Sequence, residues 1–106
     1  MKLFYEHLII HLNDVYAEIE KLQIDAQDKT ELKNLVEDTT HHTVMDTILQ
    51  HLPKHHHHAF LEKIYHSPQD NSLLDFLKDH VTNVDEKIVA SISKLKQKFL
   101  HDLSKL

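Results

Sequence analysis

Apolar residues recur every three or four positions along nearly the whole chain, and nowhere do they alternate in the two-residue rhythm of a half-buried strand. Phe4, Leu8, Leu12, Val15, Ile19 and Leu22 make one stripe, which predicts a helix over about residues 3–22. Leu32, Leu35, Met45, Leu49 and Leu52 make a second, and predict a long helix that follows Asp25, a candidate N-cap, and runs to about Leu52. Pro53 suits the first turn of a third helix, where its missing N–H costs little, with Phe60, Leu61 and Ile64 as anchors. Ser67-Pro68-Gln69-Asp70 reads as cap, first-turn proline and acidic third position, opening a fourth helix through Leu73, Leu74, Leu77 and Val81. Asn83-Val84-Asp85-Glu86 is a similar start, and Val84, Ile88, Ile92, Leu95, Phe99, Leu103 and Leu106 carry the fifth. The expectation is an all-α fold, a compact bundle of about five helices, two of them long, joined by short connections in a single domain over 1–106.

Composition narrows the chemistry. Cysteine is absent, which removes disulfides, thiolate zinc fingers, iron–sulfur clusters and thiol catalysis, and fits a reducing compartment. The first helix is interrupted by Glu6, His7 and His11 and lacks a small-residue cleavage site, so it reads as amphipathic rather than as a signal peptide. No apolar run approaches a membrane span, and a cytoplasmic location is the default expectation. Formal net charge is −5, arginine is absent and aromatics are few, so nucleic acid is a poor partner. The negative charge is uneven: Lys87, Lys94, Lys98 and Lys105 give the last helix a basic edge that can pair within the bundle or dock an acidic partner. Without glycine no loop can cradle phosphate, and the few serines lack a nucleophile-elbow turn, so a non-enzymatic protein is expected.

Leu52-Pro53, Phe60-Leu61, Gln69-Asp70, Phe76-Leu77 and Asn83-Val84-Asp85 follow one another in the C-terminal half. In this order they resemble an uncharacterised family of small all-helical proteins, a domain of unknown function, from candidate phyla radiation bacteria. The resemblance covers roughly half the chain and implies a helical fold with no established activity. Two features depart from the family pattern: histidines fill 55–58 where acidic residues are usual, and Thr82-Asn83 replaces a proline-bearing turn.

Twelve histidines are the strongest chemical hint, because imidazole binds transition metals and titrates near neutral pH. Protonating all of them would reverse the sign of the net charge. On an ideal α-helix His7, His11, Asp14 and Glu18 share a flank, and the i, i+4 histidine pair has the spacing of two ligands to one metal, with Glu18 or Asp14 completing the set. The alternative is a solvated polar edge. His42 is expected near the middle of the apolar face of the second helix, flanked by Asp38 and Asp46, as a metal ligand or as a hydrogen-bonded core histidine. Asp38 and His41 have the i, i+3 spacing of di-iron bundles, but no second copy exists to complete such a site. In the run His55–His58 only His57 shares the face of Phe60 and Ile64, so the other three are expected to fan toward solvent. His58, Glu62 and His66 are spaced for a surface site. His80 is expected to pack at a boundary beside Leu73, Phe76 and Leu77.

Two function classes follow. The leading one is a non-enzymatic interaction or adaptor module that needs no cofactor and binds a protein partner or a second copy of itself. The alternative is a transition-metal binder for zinc above all, or nickel, copper or cobalt, using His7, His11 and Glu18, Asp38 and His42, or His58, Glu62 and His66.

Overall fold

The computed structural model describes residues 3–106, apart from the side chain of His11. A 3-10 segment over Glu6–Leu12 leads directly into α1, Asn13–Lys21. Then come α2, Ala26–His51, a short 3-10 turn over Lys54–His56, α3, His57–His66, α4, Ser72–His80, and α5, Val84–Leu103. The chain is thus all-helical among the described residues, with two longer helices and short connections.

Helix α2 has 26 residues, about 39 Å at 1.5 Å per residue, and sets the long axis of a molecule measuring 47 × 24 × 20 Å. Helix α5 returns antiparallel along it, and the 3-10 segment and α1 pack against this pair. Helices α3 and α4 close the end where α2 stops and α5 begins.

The N-terminal stripe buries as expected, with Phe4, Leu12, Val15 and Ile19 inside. Phe4 is held from two sides: its N–H donates to the Pro68 carbonyl at 2.9 Å, and its ring meets Phe60 edge-on at 6.1 Å. Tyr5 is also fully buried, and its hydroxyl shares a 2.6 Å hydrogen bond with His41 Nδ1 on α2.

The face of α2 is a correction. The buried positions are Val36, Thr40, Val44 and Ile48, an i, i+4 row of β-branched side chains. The expected row of larger residues lies beside it: Leu32, Met45 and Leu49 pack against the margin of the core, and Leu35 is 56% exposed. Both rows have helical spacing, and local spacing alone does not decide which of them a neighbouring helix covers. A polar seam crosses the same interface. Thr47 Oγ1 and Ser91 Oγ lie 2.6 Å apart, and each hydroxyl also reaches a carbonyl one turn back on its own helix. Each has one proton, so one donates along its helix while the other donates across the interface.

Helix starts follow the expected signals with shifts. Asp25 is the N-cap of α2 by position, although its side chain makes no capping bond. Pro53 precedes the short 3-10 turn in an extended conformation rather than entering α3. Ser67-Pro68 forms a turn instead of opening α4, and the Asp70 carboxylate accepts from the Ser72 N–H at 2.9 Å just ahead of it. Asn83 caps α5 in the left-handed region (φ 55°), the conformation glycine would otherwise supply.

Candidate functional site

Among the described residues, those singled out as metal ligands do not converge. His7 and His11 fall on a 3-10 segment, with about three residues per turn. Positions four apart are therefore about 120° apart around its axis, instead of the roughly 40° of an α-helix. His7 is exposed, and the side chain of His11 lies outside the described residues. Asp14 is engaged elsewhere: its carboxylate pairs with Lys96 of α5 at 2.8 Å, and this hydrogen bond and charge hold the carboxyl below its ordinary range. Glu18 pairs with Lys21 on its own helix at 3.3 Å.

The phase of α2 removes the second candidate. His42 is on the solvent side, not in the apolar face, with its side chain 80% exposed, and it approaches only Asp46, at 3.3 Å. Asp38 is exposed as well. The third candidate is incomplete: His58 reaches Glu62 at 3.8 Å in solvent, while the His66 ring sits edge-on against Tyr65. Among the described residues no three His, Cys, Asp or Glu side chains gather into a group that can hold a metal ion. The expected zinc-type site is overturned by this dispersal.

What the fold does gather is a different set of imidazoles. The run 55–58 straddles the change from the 3-10 turn to α3, so its four side chains take four different roles. His57 donates its Nε2–H to the Leu52 carbonyl at 2.7 Å and satisfies the C-terminal end of α2. His58 stays at the surface. His56 is half-buried rather than solvent-facing, and corrects the expectation that it fans outward. Its ring lies 4.1 Å from His55 and 3.9 Å from His80, centroid to centroid. Phe76 backs the group, 4.8 Å from His80 and 6.1 Å from His56, and Lys63 Nζ stands 5.6 Å over the Phe76 ring. Partial burial, then the neighbouring His80 and His55, lowers the His56 pKa from its ordinary value. The Phe76–His80 half of this cluster has a sequence signal, the i, i+4 spacing on one helix. The meeting of His80 with His56 is a tertiary event that no local spacing announces.

A second feature was also invisible in the sequence. An open groove of about 400 Å³ lies between the 3-10 segment and α2. Leu3, Ile9, Ile10 and Tyr16 give it an apolar wall, and the exposed Glu6 and Glu37 an acidic edge. Buried Tyr5 and Thr40 also line it. Burial, followed by the charges of Glu37 and Glu6, pushes the Tyr16 phenol up, and burial does the same to Tyr5, so both stay protonated at neutral pH. Neither phenol is activated as a nucleophile.

No family model matches the chain, nor does any curated protein or solved structure. Among the described residues no helix is long and apolar enough to cross a membrane.

Proposed function

We propose that this protein is a non-enzymatic helical interaction module that associates with a second copy of itself through the groove beside the 3-10 segment. The observation that carries this reading is the groove's apolar wall, where Ile10 is 63% exposed next to Leu3, Ile9 and Tyr16. An exposed isoleucine on a concave surface gains by being covered. The acidic edge formed by Glu6 and Glu37 suits a basic counterpart, and α5 carries exposed Lys94 and Lys98 that a second copy would present. The family resemblance of the C-terminal half, with its helical pattern and no catalytic signature, points the same way. A cytosolic site of action fits the cysteine-free composition.

Sedimentation velocity of tag-free protein at micromolar concentration tests this. The wild type is expected to sediment as more than a monomer, and Ile10→Glu as a monomer with unchanged helical circular dichroism. A wild type that stays monomeric across the micromolar range overturns self-association.

A further inference from the structure

We infer that His55, His56 and His80 form an acid-sensitive clasp, which holds the C-terminal end of α4 against the α2–α3 junction while uncharged and releases it when more than one ring is protonated. His55 and His56 belong to the 3-10 turn that follows α2, and His80 is the last residue of α4. The 3.9 Å contact between His56 and His80 bridges segments that the chain separates by the whole of α3, while His55 lies 4.1 Å from His56 within their own turn.

The rings are tilted at 43° and 33° to one another; neutral imidazoles pack this way without penalty, and one imidazolium against a neutral ring is still attractive. Two imidazoliums at the same separation repel. The charged groups facing His56 are His55 from its own turn and His80 from α4, while Lys63 reaches across from α3 over Phe76. All become or remain cationic in acid. His57 is directed at the Leu52 carbonyl instead. Among the described residues no carboxylate lies within ion-pair distance of His55, His56 or His80, and Asp79 is the acidic neighbour of His80 along α4. His80, the last residue of α4, and His55 are exposed, whereas His56 is half-buried between them and resists a proton beside a charged neighbour. Once that proton is forced on, the rings part.

Helix α4 is suited to move. It has nine residues and is anchored by Leu73, Leu74 and Leu77, with one exposed ion pair, Lys78–Asp85 at 3.7 Å, leading to α5. Its release would uncover Phe76 and Leu77 at one end of the molecule and leave the α2–α5 pair intact.

Amide hydrogen exchange read by NMR at pH 7.5 and 5.5 tests the clasp. In the wild type, protection factors over Ser72–Val81 are expected to fall about tenfold more than those over Ile88–Leu95. In the double variant His56→Phe, His80→Phe, which keeps packed rings without the charge, the two segments should change alike. Equal protection of α4 at both pH values in the wild type overturns the clasp, as does an equal loss in the variant. If the double variant does not fold, the wild-type ring titrations decide. His56 should titrate below free histidine, and its midpoint should move up in His80→Asn. A His56 midpoint at or above free histidine, or one indifferent to His80→Asn, contradicts the proposal.

Discussion

Tyr5 brings a hydroxyl into the core and must satisfy it there. His41 does so from α2, across 36 positions of sequence, and the two rings lie nearly parallel with centroids 6.0 Å apart. Tyr5→Phe keeps the ring and removes the bond, leaving His41 Nδ1 without its partner. The expected loss is about 1 kcal/mol, read as a lower urea midpoint at unchanged slope; an unchanged midpoint would show that water satisfies His41 equally well. His56 makes the complementary case. Its folded pKa is depressed, so the unfolded chain takes up protons first as pH falls. Its contribution is therefore complete above the ordinary histidine range near pH 6.5 and declines as pH drops below it. The burial of Phe4, Val15 and Ile19 was legible in the sequence because hydrophobic spacing reports it directly. The partners of Tyr5 and His56 were not, since each lies on another element and neither side chain belongs to an apolar repeat.

At the scale of elements, helix identity was easier to read than helix phase. Five helical stretches were expected and five α-helices occur among the described residues, because spacing and start signals such as Asn83-Val84-Asp85-Glu86 are local. Which stripe of α2 faces inward is decided by α5. Two predictions separate the stripes. Ile48→Ala, at a site 1% exposed, should cost about 2–5 kcal/mol, whereas Leu35→Ala should change stability by no more than about 0.5 kcal/mol. Urea unfolding of the two variants checks both, and a larger loss for Leu35→Ala would reverse the assigned face. The same distinction bears on the His7/His11 pair, of which the His11 side chain lies outside the described residues. Its apolar spacing is compatible with α or 3-10 winding, but only α winding aligns positions four apart. The turn ahead of the 3-10 segment buries Phe4 and Tyr5, and the segment itself turns Leu12 inward and leaves Ile10 at the edge of the groove.

Taken as a whole, the molecule distributes its histidines rather than collecting them. Some serve the backbone, as His57 does for α2; some pair singly with a carboxylate in solvent, as His42 and His58 do; and three meet with tilted rings where α4 meets the end of α2. With formal charge −5 and a pI near 6.1, acidification carries the chain through neutrality within the range in which imidazole titrates. Among the described residues the imidazoles are engaged by packing and by single ion pairs, and no three metal-ligating side chains gather. The direct test is the melting temperature of tag-free protein at pH 7.5 and 5.5, each with and without a chelator. The account predicts a lower melting temperature at pH 5.5 and no effect of the chelator at either pH. A chelator that lowers the melting temperature at pH 7.5 would contradict it.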